Sequence, residues 1–323
     1  MNNSSWFIYM SLLKDFSDLL RVSLCILASL VVIIAGYLSY RLNGFLQPEI
    51  EPSDIINFLF NNDVVPFEGL VIGLMIPFLL IGGNHVINDF FDYENDRINN
   101  RIDRPLVRGV VSPQQARNLA ILCYSLAFLI VLIEVLIFHL SPLLIPATII
   151  FIGIGIGYNI KIKSYGLIGN IWVSVGYIFP FLMGALLVGA NNNWVLLNVL
   201  ILSVFIFFLA LAREVLKDIM DISGDKETGK RSVPIIKGAK FAAYLSGLFY
   251  TCAIISGGFL LFYGFKNNGV FLVGYSFLII LILYTLYVLI PNPNLETATK
   301  GRKYSRWSLW WSTGLLFVSS LFI

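Results

Sequence analysis

Residues 194–225, WVLLNVLILSVFIFFLALAREVLKDIMDISGD, decide how this chain folds. The first part, Trp194–Ala212, holds no charged residue and matches the roughly 20 residues a helix needs to cross about 30 Å of hydrocarbon. At Arg213 the run turns abruptly into charged sequence. The acids that follow, Asp218, Asp221 and Asp225, are spaced i, i+3, i+7, and Glu214 precedes Asp218 by four. A helix continued through the change of character carries them on one face.

The same apolar length recurs along the chain. Hydrophobic residues fill 58% of the 323 positions and charged residues 13%, against roughly 45–50% and about 25% in soluble domains. Nine segments read as spans: approximately Val22–Tyr40, Gly69–Asn88, Asn118–Leu140, Leu143–Ile160, Tyr165–Ala190, Trp194–Ala212, Phe241–Phe265, Gly269–Ile290 and Trp307–Ile323. Lipid leaves unpaired backbone groups unsatisfied, so the spans are helices rather than strands. The expected fold is an all-α integral membrane protein of nine transmembrane helices, one domain over residues 1–323. Only Glu134 puts a charge inside a span, toward its outer end, where it either snorkels or stays protonated. The N-terminal segment 1–20 shows no cleavable signal, and Trp6–Leu13 reads as an interfacial helix.

Charge sets the orientation. With the N-terminus inside, 20 of the 22 Lys and Arg residues fall on the cytoplasmic side and only Arg41 and Lys266 on the other, as the positive-inside rule requires. Two long cytoplasmic segments, 89–117 and 213–240, are highly charged, while the external connections His139–Pro142 and Asn191–Asn193 are minimal. The external loop Arg41–Glu68 is of moderate size. Ten of the 19 acids lie within Asp89–Asp103 and Glu214–Glu227. A scatter of surface charge would not concentrate them so.

The first of these segments contains Asn88, Asp92 and Asp96, spaced i, i+4, i+8. On a continuing helix they form a stripe whose like charges repel unless a cation sits between them. Acids at a helix C-terminus also oppose the macrodipole. Magnesium, a hard cation bound by oxygen ligands and shared with substrate phosphates, is the natural candidate for both stripes. Asp89 and Glu94 lie off the stripe and are read as solvated.

Cations flank both stripes. Arg213 and Lys217, with Lys226, Lys230 and Arg231, can neutralise a pyrophosphate leaving group alongside a metal; for Arg213 and Lys217 an inter-helix salt bridge or a topology signal is the competing reading. Arg104 and Arg21 can touch phosphate, or serve topology and lipid headgroups instead. Tyr158 and Lys161, with Lys163, sit where the fourth span meets the cytoplasm. Asn170 is an orienting amide or a satisfied interhelical group. His85 and His139 are too far apart in sequence to suggest zinc. Cys25, Cys123 and Cys252 read as buried small hydrophobes.

At these residues the sequence resembles the UbiA superfamily of intramembrane prenyltransferases. The family's Asn-x-x-x-Asp-x-x-x-Asp motif is matched by Asn88, Asp92 and Asp96, and the following Arg-Pro and Gly by Arg104, Pro105 and Gly109, after a slightly longer approach through Asn100-Arg101-Ile102. The second motif region is matched by Asp218, Asp221 and Asp225, trailed by Gly229 and Ser232-Val233-Pro234. In form, Arg213–Asp225 and Asn88–Asn99 are most similar to archaeal digeranylgeranylglyceryl phosphate synthases.

The resemblance implies a helical bundle around a central cavity open to the cytoplasmic face of the cell membrane. It implies Mg2+-dependent transfer of a prenyl group, geranylgeranyl from its diphosphate, to a lipophilic acceptor, geranylgeranylglyceryl phosphate. Asp92, Asp96, Asp221 and Asp225 would be catalytic. Asn88, Asp92, Asp96, Asp218, Asp221 and Asp225 would hold the metal, and Arg21, Arg104, Tyr158, Lys161, Arg213 and Lys217 the diphosphate. Neither nucleic acid nor an obligatory protein partner is expected. A quinone-precursor or chlorophyll-type acceptor is the alternative within the family. A cation-coupled transporter is a remote one, since transport sites lie near the midplane.

Overall fold

Each of the nine apolar segments contains helix, and no strand occurs among the described residues, which in this computed structural model are 14–44, 71, 73–98, 101–188, 193–227 and 229–322. In chain order the helices are α1 (Val22–Gly44), α2 (Met75–Ile98), α3 (Pro113–Leu136), α4 (Leu144–Ile160), α5 (Leu167–Gly176), α6 (Phe179–Leu187), α7 (Asn193–Met220), the short α8 (Ile222–Glu227) and α9 (Val233–Lys237), α10 (Ala239–Tyr263), α11 (Gly269–Leu289) and α12 (Leu295–Ser320). Six helical segments among the described residues are long and apolar enough to cross a membrane: Val22–Arg41, Pro113–Leu136, Leu167–Leu187, Leu197–Met220, Ala239–Tyr263 and Gly269–Leu289. The remaining three differ from the simple span for identifiable reasons. α4 is apolar but has only 17 residues. α2 runs on past Asn88 as one helix to Ile98, and α12 begins at Leu295 rather than near Trp307, so each joins a polar length to an apolar one.

Local sequence explains these limits. α12 starts early because Asn294 caps it: its side chain accepts from the Thr297 amide, and Thr297 returns the bond to the Asn294 amide. α3 starts with the same device, Ser112 and Gln115, with Pro113 in its first turn. The segment expected as one span over Tyr165–Ala190 does supply one, Leu167–Leu187, but is broken within it into two helices, α5 and α6. Pro180 has no amide to donate, and the chain tightens at Tyr177 and Ile178 through bonds back to Ser174 and Val175.

Two apolar clusters build the bundle. One joins α1, α2, α3, α4 and α6 around Leu80, Ala127, Val131 and Met183; the other joins α1, α6, α7, α10, α11 and α12 around Leu209, Tyr250, Leu278 and Ile282. α1 and α6 belong to both and approach closely at Gly184, where a Cβ would lie 2.4 Å from the Val32 carbonyl oxygen. A smaller cluster of Leu211, Val215, Leu216, Ile219 and Leu289 packs beneath the charged end of α7.

Cys25 and Cys123 are buried and Cys252 half-buried, and all three are free thiols, as read from the sequence. Of the two expectations for Glu134, snorkelling is the one the fold excludes. The side chain is fully buried, and neither carboxylate oxygen has a hydrogen-bond partner among the described residues. The Trp6–Leu13 stretch and nearly all of the external loop after Arg41 lie outside the described residues.

Candidate functional site

α2 and α7 carry the two acid stripes, and the unit between them connects both. That unit is the end of α4, a 3-10 turn at Ile162–Ser164, and α5. α2 packs on α4, α4 on α5, and α5 on α7. From this unit Asn159 and Lys163 reach the first stripe and Asn170 reaches the second.

On the first stripe, Asn88 donates from Nδ2 to Asn159 Oδ1 at 2.7 Å. The ammonium of Lys163 sits 2.5 Å from both carboxylate oxygens of Asp92. Asp96 has the Arg104 Nε at 3.7 Å. The helix holds through Ile98, so these three residues do share a face, as the spacing predicts. Glu94 is exposed and pairs with Arg97, three residues on along the same helix.

Asp89 is a correction. It is not solvated: only 2% of it is exposed, and its Oδ1 accepts from Arg21 at 2.9 Å and from Arg104 at 3.0 Å. Arg21 also reaches His85 Nδ1 at 3.1 Å. Asp89 lies off the stripe because it points toward the start of α1 and the turns of 101–112, whose bonds Arg108 N–H to Arg104 and Val110 N–H to Pro105 present the Arg104 side chain. Arg21 adopts a positive φ of 53° on the way into α1, a backbone conformation uncommon outside glycine.

On the second stripe, Asp218 is buried at 3% exposure and Asp225 at 9%, whereas Asp221 is exposed. Lys230 Nζ lies 3.1 Å from Asp218 Oδ1 and 3.1 Å from Asp225 Oδ2, bridging the two. Asn170 donates to the other oxygen of Asp218 at 2.7 Å, which makes it an orienting amide. The helix breaks after Met220, but the bonds Asp221 N–H to Lys217 and Asp225 N–H to Asp221 keep the helical spacing across the break.

Arg213 and Lys217 both hold Glu214, at 2.8 and 2.5 Å, and Glu214 is itself buried at 7% exposure. Both bridges lie within α7, so they are not the inter-helix salt bridge expected as the competing reading. Tyr158 lies at the end of α4 beside Asn159 and is half-buried. Lys161 is exposed, and it is Lys163, not Lys161, that reaches Asp92. Lys230 holds two carboxylates of the second stripe although its spacing of five from Asp225 carries no helical signal.

The stripes fit a hard divalent cation by donor chemistry: five carboxylates and an amide, all oxygen donors, with buried members. Among the described residues no three acid, His or Cys side chains converge on one point; lysines stand between the carboxylates instead. Burial pushes the Asp96 carboxyl above the usual carboxylate range, with Arg104 opposing. For Lys230, burial alone would lower the pKa, but Asp218 and Asp225 outweigh it and raise it.

The chain is similar in sequence and fold to known proteins. Residues 57–321 match the UbiA prenyltransferase family. A digeranylgeranylglyceryl phosphate synthase of Sulfurisphaera tokodaii is 30% identical over 245 residues, 75% of this chain and 82% of the relative. The solved structure of a digeranylgeranylglyceryl phosphate synthase superposes with a TM-score of 0.73 at 26% identity, covering 97% of this chain and 100% of the other. A UbiA homologue from Archaeoglobus fulgidus, bound to DMAPP and Mg2+, shares the fold with a TM-score of 0.62 at 17% identity, covering 94% of this chain and 99% of its own.

Proposed function

The chain belongs to the UbiA prenyltransferase family and is an intramembrane prenyltransferase, and from that premise we propose that it transfers a geranylgeranyl group from geranylgeranyl diphosphate to geranylgeranylglyceryl phosphate, with Mg2+, in archaeal ether-lipid synthesis. The observation that carries the reading is the pair of aspartate stripes brought to one end of an apolar bundle by the α4–α5 unit. The similarity to digeranylgeranylglyceryl phosphate synthases at about a third of positions supports this acceptor over a quinone precursor or a porphyrin-like ring.

Asn88, Asp92 and Asp96 on α2, with Asp218 on α7 and Asp221 and Asp225 just past its end, are the residues that would hold magnesium. Bound there, the metal would neutralise the diphosphate and improve it as a leaving group. Arg21, Arg104, Tyr158, Lys161, Arg213 and Lys217 add fixed charge and donors toward the diphosphate oxygens as charge develops on them. The donor's C1–O bond breaks, the diphosphate leaves with the electron pair, and the acceptor hydroxyl oxygen attacks the allylic cation and releases its proton. With 26 Phe and 15 Tyr in the chain, aromatic faces are available to stabilise that cation and pack the isoprenoid tail.

The reading includes nine crossings with the N-terminus in the cytoplasm, and a central cavity that opens on the cytoplasmic face. The sidedness of 20 of 22 basic residues supports it. The test is an assay of the purified protein with Mg2+, geranylgeranyl diphosphate and a panel of acceptors. Prenylation of geranylgeranylglyceryl phosphate in preference to aromatic acceptors is expected. Prenylation of an aromatic or porphyrin-like acceptor alone would overturn the acceptor assignment, and cation uptake into proteoliposomes without prenyl transfer would overturn the activity.

A further inference from the structure

The cations of the site divide into two kinds. Three arginines and Lys217 are held by carboxylates outside the stripes: Arg21 and Arg104 by Asp89, Arg213 and Lys217 by Glu214. The stripe aspartates are held by lysines: Asp92 by Lys163, and Asp218 with Asp225 by Lys230. The nearest arginine to a stripe aspartate is Arg104, 3.7 Å from Asp96. An arginine fork is rigid and suits a fixed pair, whereas a lysine is a point charge on a flexible stem.

The two lysines are also mechanically joined. The Arg231 amide donates to the Ser164 carbonyl at 3.3 Å, tying the residue after Lys230 to the residue after Lys163. Gly166 makes the contact possible: it has φ +54°, and a Cβ there would lie 2.1 Å from the Arg231 carbonyl oxygen. The clasp places one ammonium on each stripe from a shared support.

We propose that Lys163 and Lys230 are exchangeable counter-ions, one for each aspartate stripe, which hold the carboxylates in register until a divalent cation takes them and then turn their ammoniums to the diphosphate. The inference rests on the metal–diphosphate reading of the site. It assigns both lysines a positioning role toward the metal ligands and a binding role toward the phosphate.

The test is Mn2+ binding to the purified, detergent-solubilised protein, followed by electron paramagnetic resonance without any prenyl substrate, for the wild type, Lys163→Met and Lys230→Met. Each variant loses the charge that competes with the metal, so each is expected to bind Mn2+ roughly fivefold more tightly, the scale of a partly exposed ion pair. Inorganic pyrophosphate is expected to bind the Mn2+-loaded variants more weakly than the loaded wild type. Where the missing ammonium destabilises the protein, Mn2+ restores the melting temperature by more than it raises that of the wild type. Unchanged or weaker Mn2+ binding in both variants overturns the inference and leaves the proposed function standing. A wild type that binds no Mn2+ overturns both.

Discussion

Arg21, at the threshold of α1, donates from Nη2 to Oδ1 of Asp89 on α2 at 2.9 Å. Arg104 shares the same oxygen at 3.0 Å, so one buried carboxylate gathers two arginines from distant parts of the chain. Asp89→Asn keeps the shape and removes the charge. It is expected to destabilise the protein by roughly 2–3 kcal/mol, toward the lower end for breaking a buried pair because both arginines remain partly exposed. It should also raise the KM for the prenyl diphosphate. Thermal unfolding in detergent and steady-state kinetics check the two effects.

Glu214 is the counterpart on α7, with Arg213 and Lys217 on its two oxygens. Glu214→Ala leaves the largely buried Arg213 without its carboxylate. The expected cost is about 3 kcal/mol, read as a lower melting temperature, whereas Lys217→Ala, which removes the more exposed partner, should cost under about 1 kcal/mol.

Glu134 predicts the opposite sign. Its carboxylate is fully buried and unbonded among the described residues, and a buried polar group left unpaired costs roughly 1–3 kcal/mol. Glu134→Leu is therefore expected to raise the melting temperature and leave prenyl transfer unchanged. A fall in activity at unchanged stability would give Glu134 a role in the reaction.

The pH dependence of metal binding follows from the carboxylates. Asp96 titrates above the ordinary range because of burial. A raised pKa lets the proton compete with the metal at higher pH, so affinity is lost earlier as pH falls. Mn2+ titrations between about pH 4 and pH 8 should show the decline beginning clearly above the ordinary aspartate value near 3.9. Lys230, whose pKa is raised by Asp218 and Asp225, contributes no alkaline limb within the range of ordinary lysine titration.

Gly166 sets the clasp between the two lysine-bearing segments. Gly166→Ala forces a side chain into left-handed backbone and against the Arg231 carbonyl. A cost of roughly 2 kcal/mol or more is expected, read as a lower melting temperature than that of Gly109→Ala. Gly109 also has a positive φ, 75°, but has open space around its Cβ position.

Both stripes were legible because helical spacing is written directly in sequence, and α2 and the α7–α8 junction do keep that spacing. What escaped was whatever depends on a second segment. Asp89 looks like a solvated neighbour of the stripe on its own helix; its partners come from residue 21 and residue 104. Lys161 looked equivalent to Lys163 until the 3-10 turn at Ile162–Ser164 turned the latter to Asp92. Some of the missed boundaries did carry signals: Pro180 marks the α5–α6 break, and the Asn294–Thr297 pair marks the early start of α12. Those local cues were outweighed by hydrophobic length, which locates a span but not the ends of its helix.

The central claim is that the two stripes act together on a metal-bound diphosphate. The most direct measurement is the rate of diphosphate release from geranylgeranyl diphosphate, in the presence of acceptor and Mg2+, by the wild type, Asp92→Asn and Asp221→Asn. Loss of about a hundredfold or more in each single variant is predicted, the scale of removing a charge-stabilising group from an active site, together with no turnover by the wild type in EDTA. Full activity in either variant, or turnover that persists without a divalent cation, would contradict it.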